Sequence, residues 1–236
     1  MRLTRLVCGL CAMVVIAAGC VNTTGGTAKP VGAGPGTSAA PTKPTNPGDP
    51  DSPLERFLLS VDDINTVMGT NDIELAGSAN DLSDHRNDIS DPQCLGALYN
   101  AEEAVYEKAG WTDVVDQVLT EPEDDSSHWV EQTVVQFPSA EAAQDFFDSS
   151  FTQWTDCIGK TVMVDDGDYE FNWQFEGISS VDGTISQTAR QIDSDGWACQ
   201  HALGAVKSYI LETSVCGLAL KDEAVSIVDR LAANVK

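Results

Sequence analysis

Trp197-Ala198-Cys199-Gln200-His201-Ala202-Leu203, followed a few residues later by Tyr209-Ile210-Leu211-Glu212-Thr213-Ser214-Val215-Cys216, is the stretch that decides the fold. Both halves are dominated by apolar, β-branched and aromatic side chains, and each reads as a strand. A turn near Ala205 to Lys207 makes them an antiparallel hairpin, which sets Cys199 and Cys216 nearly opposite each other, as a cross-strand bridge requires. If the strand is regular, Trp197, Cys199, His201 and Leu203 share one of its faces.

The cysteines extend this reading along the chain. Of the seven present, Cys8 and Cys11 lie in an N-terminal apolar segment and Cys20 closes it, which leaves Cys94, Cys157, Cys199 and Cys216. Their number alone leaves the pairing open. The hairpin selects Cys199 with Cys216, and Cys94 then pairs with Cys157, tying an early helix to a later one. A four-cysteine zinc site would need close Cys-x-x-Cys pairs, and a redox dithiol would need one; neither occurs. Two structural disulfides imply an oxidising, extracytoplasmic compartment.

The remaining elements are local signals. Ser60-Val61-Asp62-Asp63 reads as a capping box that opens a short helix closed by Gly69. A short strand is expected at Ile73 to Ala76, a helix from Pro92 carrying Cys94, Leu95 and Leu98, and a second helical piece through Ala101 to Lys108. Trp111 to Thr120 and Trp129 to Phe137 form a hairpin across the acidic turn Glu121 to Asp125. Ser139 caps a long amphipathic helix on which Ala143, Phe146, Phe147, Phe151, Trp154, Cys157 and Ile158 recur at helical spacing. Thr161 to Val164, Tyr169 to Val181 and Thr184 to Ile192 are further strands, and a second amphipathic helix starts near Asp222. Short turns between consecutive strands imply an α+β fold with an antiparallel sheet of about five to seven strands and a single layer of two large helices.

The chain divides into three regions. Arg2 and Arg5 precede a short apolar run from Leu6 to Ala18, too short for a permanent membrane helix, and Ala17-Ala18-Gly19-Cys20 resembles the bacterial lipobox. Residues 1–19 are therefore expected to be a lipoprotein signal peptide, with Cys20 the lipidated residue. Residues 20–53 are rich in proline, glycine and threonine without an aromatic side chain, the composition of a disordered tether. Residues 54–236 form one domain. The formal charge of −24 argues against nucleic acid and anionic lipid headgroups as partners, so attachment to the membrane is expected through lipid alone.

No constellation of catalytic residues stands out. There is no G-x-S-x-G, no H-E-x-x-H, no phosphate-cradling glycine loop, and the histidines His85, His128 and His201 lie in separate segments. The acidic runs at Asp165-Asp166-Gly167-Asp168 and Asp193 to Asp195 lack the spacing of a calcium loop and read as turns. No enzyme activity, metal or cofactor is expected.

The capped helix Ser60 to Gly69, the segment Cys94-Leu95-Gly96-Ala97-Leu98-Tyr99 with Val105-Tyr106 and Gly110-Trp111 downstream, the helix ending Trp154-Thr155-Asp156-Cys157, and Gly196-Trp197-Ala198-Cys199 followed by Cys216 together resemble the PknH-like extracellular sensor domain family, which includes stand-alone lipoproteins. That resemblance covers essentially residues 54–236. It implies an antiparallel sheet with two large helices set in a V, disulfides joining first to second and third to fourth cysteine, and a polar cleft that takes a ligand. The expected function is that of a membrane-anchored envelope lipoprotein binding a small-molecule or envelope ligand. Gln153, Asp156, Gln200 and His201 are the candidate polar contacts, and Trp173 is a candidate stacking surface. The rival expectation is a scaffold lipoprotein whose acidic surface engages an envelope protein partner.

Overall fold

The computed structural model describes residues 52–122, 127–167 and 169–235. The expected signal peptide, Cys20 and nearly all of the expected tether lie outside the described residues, as does Asp168. After a single 3-10 turn at Glu55–Phe57 come α1 (Val61–Met68), β1 (Glu74–Ala79), a 3-10 turn at Pro92–Cys94, α2 (Leu95–Leu98), α3 (Glu103–Tyr106), β2 (Asp113–Thr120), β3 (His128–Gln136), α4 (Ala140–Cys157), β4 (Thr161–Asp165), β5 (Glu170–Val181), β6 (Thr184–Gln191), β7 (Trp197–Val206), β8 (Tyr209–Leu218) and α5 (Glu223–Val235).

Local chemistry sets the ends of these elements where the sequence predicts. Ser60 and Asp63 complete the capping box of α1, and Gly69 closes the helix at φ 70°. The Ser139 hydroxyl accepts from the Ala142 N–H at 3.1 Å and starts α4. Asp182 and Gly183, both at positive φ, make the two-residue turn between β5 and β6. Such a turn matches the right-handed twist of the flanking strands.

All the strands join one antiparallel sheet in the order β1-β2-β3-β8-β7-β6-β5-β4. Among the described residues it has eight strands, more than the expected five to seven. The short strand expected at Ile73 to Ala76 is present as β1; its residues are mostly exposed, so it is held by pairing with β2 rather than by burial. Within the hairpin, Cys199 stands directly across from Cys216. The disulfides join Cys199 to Cys216 and Cys94 to Cys157, with Cα atoms 4.0 and 5.7 Å apart. They close loops of 17 and 63 residues, worth on the order of 3 and 4 kcal/mol.

The helices correct a larger expectation. Trp197, Cys199 and Leu203 of β7 pack with Phe146, Trp154 and Cys157 of α4, whereas Ala202 of β7, with Leu211 and Val215 of β8, packs with Ile227, Val228 and Leu231 of α5. The two large helices therefore cover opposite faces of the sheet. They form neither a single layer nor a V over one face. The physical cause lies in the central strands: β3, β7 and β8 are buried on both sides, and each apolar face needs its own helical cover. α2 and the Cys94 turn join α4 on one side, while α1 joins α5 on the other.

Candidate functional site

The face of the sheet under α4 is apolar at its ends and polar in its middle. Trp129, Trp197 and the Cys199–Cys216 bridge lie toward one end, and Val114, Val135 and Ile210 toward the other. Between them the register aligns two rows. Asp116 stands opposite Thr133, which stands opposite Glu212; in the next row Glu131 faces Ser214, Ser214 faces His201, and His201 faces Gln187. Strand alternation sends all of these side chains to the same side. Every one is buried, with Asp116 and Glu131 each 8% exposed and Glu212 and His201 each 2%.

Residues 99–106, the link that runs from α2 into α3, lie over this floor. Asn100 donates to the Thr133 hydroxyl at 3.1 Å and accepts from the Ser214 hydroxyl at 2.8 Å. The Ala101 N–H approaches Glu212 Oε2 at 3.4 Å, and the Tyr106 hydroxyl donates to Glu212 Oε1. The Thr133 hydroxyl in turn donates to Asp116. Glu102 accepts from the His85 N–H at 3.0 Å and lies 2.5 Å from His85 Nδ1, and the His85 ring stacks on Tyr99 with centroids 4.7 Å apart. From α4, Trp154 lies over His201 at a ring separation of 4.5 Å.

Each of the three histidines thus faces a glutamate: His85 with Glu102, His128 with Glu121 at 2.6 Å, and His201 with Glu212 at 3.3 Å. The last approach lacks hydrogen-bond geometry. Both ring nitrogens of His201 are buried without a hydrogen-bond partner, and so is the Tyr99 hydroxyl. Buried polar atoms are normally satisfied, so these exceptions mark the site as chemically unfinished.

Burial governs the protonation of the acids. It lifts Asp116 to about 7, against hydrogen bonds from Thr133 and Glu131 that pull the other way. Glu131 is pushed well above the ordinary carboxyl range by burial and by the charges of Asp116, Glu102 and Glu212. Burial also raises Glu102, only partly offset by its bond to His85. For His85, burial pulls downward, but the bond to Glu102 and its charge outweigh it and the imidazole is raised. Asp116, Glu131 and Glu102 therefore retain protons at pH values where surface acids have lost theirs. Among the described residues, no group of three or more His, Cys, Asp and Glu side chains is arranged to hold a metal ion.

Of the predicted contacts, the structure brings only His201 to this site. Gln200 points to the opposite face, where it donates to the Lys221 carbonyl at 2.8 Å and accepts from the Ala224 N–H at 3.1 Å, bracing the start of α5. Adjacent strand residues point to opposite sides, so Gln200 and His201 do not share a cleft wall. Trp173 is 1% exposed in the core and offers no open stacking face. Gln153 is half-buried on α4 close to Gly96 of α2, and Asp156 is exposed on the same helix. Asp116, Glu131, Glu212, Asn100 and Glu102 were not anticipated. Their sequence signal is an acid at an inward position of a strand otherwise apolar or β-branched, as in Trp129-Val130-Glu131 and Ile210-Leu211-Glu212.

Outside this site, a groove of about 470 Å³ opens on the α5 side of the sheet, lined by Asp182 to Thr184, Gly204 to Lys207 and Val228. None of the predicted contact residues borders it.

The profile of the PknH-like extracellular domain family matches residues 50–234, and the chain belongs to that family. It is 30% identical over 195 residues to the serine/threonine-protein kinase PknH of Mycobacterium bovis, and equally to that of Mycobacterium tuberculosis. These matches span 82% of this chain but only 33% and 31% of the kinases, so the chain corresponds to about a third of those relatives. The crystal structure of the extracellular domain of PknH from Mycobacterium tuberculosis superposes with a TM-score of 0.73 at 30% identity, covering 77% of this chain and 94% of that one. Among the described residues, no helix is long and apolar enough to cross a membrane.

Proposed function

We propose that this chain is a cell-envelope lipoprotein that holds a sensor-like domain outside the membrane and binds a ligand at the polar floor beneath residues 99–106. The observation that carries this reading is the floor itself. Acids, amides and hydroxyls occupy the middle of a sheet face where apolar residues would be more stabilising, and His201 and Tyr99 keep unpartnered polar atoms beside them. Unsatisfied buried polar groups cost stability on the order of 1–3 kcal/mol each, and such sites are where ligands find partners. No catalytic role is assigned to the domain.

Attachment is proposed through lipid on Cys20. Cys20→Ala should move the protein from the membrane fraction to the soluble one; retention in the membrane would overturn the anchor. For binding, native mass spectrometry of the full chain purified from its own cell envelope should reveal an added mass that is lost in Glu131→Gln. The bare polypeptide mass in the unaltered chain, or an adduct that persists in the variant, would remove the support for a ligand at this floor.

A further inference from the structure

The link from Tyr99 to Tyr106 is unusual in how it is held. Its backbone is anchored at one side, where Ser83 donates to the Ala101 carbonyl at 2.9 Å and Glu103 donates to the Ser83 carbonyl at 2.8 Å. Its inner side hangs from the acidic floor through Asn100, the Ala101 N–H and Tyr106. Ala101 is 1% exposed and sits at φ 51°, a left-handed conformation that a non-glycine residue keeps only where its surroundings hold it there. The strained residue is the one bonded to Glu212.

The floor to which the link is tied is a crowd of acids. Asp116 comes from β2, Glu131 from β3 and Glu212 from β8, with His201 beside them from β7. The link adds Tyr99, Glu102 and Tyr106, and residues 80–91 bring Asp84, His85 and Asp88 to its outer side. The largest charges acting on Asp116, Glu131 and Glu102 come from other carboxyls and from His85. Asp116 pairs with Thr133 and Glu131 with Val118, so the two carboxyls are diagonal neighbours on the same face of the β2–β3 pair, and each acts on the protonation of the other. Two carboxyls so placed can share a hydrogen bond only while one of them carries a proton.

We propose that the Tyr99–Tyr106 link is a proton-gated cover, held down on the acidic floor while Asp116 and Glu131 share a proton and released when that proton is lost. The structural chain is short. Loss of the proton sets two like charges side by side in a buried place, which drives the carboxyls apart and draws in water. Asp116 accepts from Thr133, and Thr133 accepts from Asn100, so a displacement of Asp116 is transmitted directly to the link. Thr133 also stands opposite Glu212 across the β3–β8 pair, so the same displacement reaches the carboxyl that holds the Ala101 N–H and Tyr106, and with these bonds loosened Ala101 can leave its left-handed conformation. Burial of both carboxyls and their mutual charge raise the pH at which that proton leaves above the range of surface acids. This device requires only that the floor be present, and it stands whether or not a ligand binds there.

Hydrogen–deuterium exchange on the full chain tests it. After correction for the pH dependence of intrinsic exchange, the amides of residues 101–106 should lose protection by about tenfold or more between about pH 5.5 and about pH 8.5. The amides of β7 and β8 should keep theirs. In the double variant Asp116→Asn with Glu131→Gln, the protection of 101–106 should no longer depend on pH. Should that variant not fold, Glu131→Gln alone should reduce the same pH slope. Protection of 101–106 that is equal at both pH values in the unaltered chain would overturn the proposal, as would a slope unchanged in the variant. Loss of protection that spreads equally over the whole sheet would overturn it too, because it would report global unfolding instead of a cover.

Discussion

Replacement of Trp154 by alanine is expected to lower the stability of the domain by about 3–5 kcal/mol, the largest effect of any single truncation considered for this chain. Trp154 is 1% exposed on α4 and packs in the same core as Trp173, Trp197 and the Cys199–Cys216 bridge. Its loss removes a large apolar surface and leaves a cavity that the stapled sheet cannot collapse to fill. It also uncovers His201, whose ring nitrogens have no hydrogen-bond partner to retain them. Phe151, one turn earlier on the same helix, is 38% exposed, and Phe151→Ala should cost under about 1 kcal/mol. Chemical denaturation of the two variants checks the difference. Similar midpoints would mean that α4 does not seal the polar floor.

The second large effect is a loss of stability with rising pH. Asp116, Glu131, Glu102 and His85 are all raised in the folded chain above their ordinary values. Between those ordinary values and the folded ones, the native state binds more protons than the unfolded state, so stability falls as pH increases. Asp116 alone, lifted from 3.8 to about 7, accounts for a change on the order of a few kcal/mol across that interval. Surface acids finish titrating below about pH 5.5 in both states and contribute little above it. The thermal midpoint should therefore fall by roughly 10 °C between about pH 5.5 and about pH 8.5. Asp116→Asn should flatten that slope, and a steady midpoint in the unaltered chain would contradict the buried-proton account. Toward low pH the sign reverses. Arg86 lowers Asp84 and Lys160 lowers Asp91, so their contribution is present above the ordinary carboxyl value and is lost as pH falls through the folded ones. Both carboxyls are largely exposed, and their effect is small.

These expectations describe a domain whose middle is costly. Four buried carboxyls and the unsatisfied polar atoms of Tyr99, Trp197 and His201 work against folding, while the disulfides and the two apolar layers oppose them. The kinase relatives carry an extracellular domain of the same family as part of a much longer chain. Under the proposed lipid anchor, any response to the state of the floor would pass to another envelope component through the domain surface.

What the sequence by itself determined was local. The capping box at Ser60, the N-cap at Ser139, the apolar period of α4 and α5, and the hairpin that sets Cys199 against Cys216 depend on neighbours along the chain or on one strand pair, and all stand where the residues place them. The family was legible for the same reason, since the cysteines and tryptophans that mark it lie within those elements. Tertiary structure decided the rest. Amphipathicity shows that a helix has a buried face but not which side of a sheet will receive it, so α4 and α5 were expected in one layer and lie on opposite faces. A short strand was legible at Ile73 to Ala76, but its extent to Ala79 is set by pairing with β2 and not by its own residues. The polar floor is assembled from β2, β3, β7 and β8 and covered by residues 99–106, residues up to 114 positions apart that meet only through the tertiary fold. A glutamate in a strand reads as solvent-facing until the pairing turns it inward, and only the complete sheet places Asp116, Glu131 and Glu212 together.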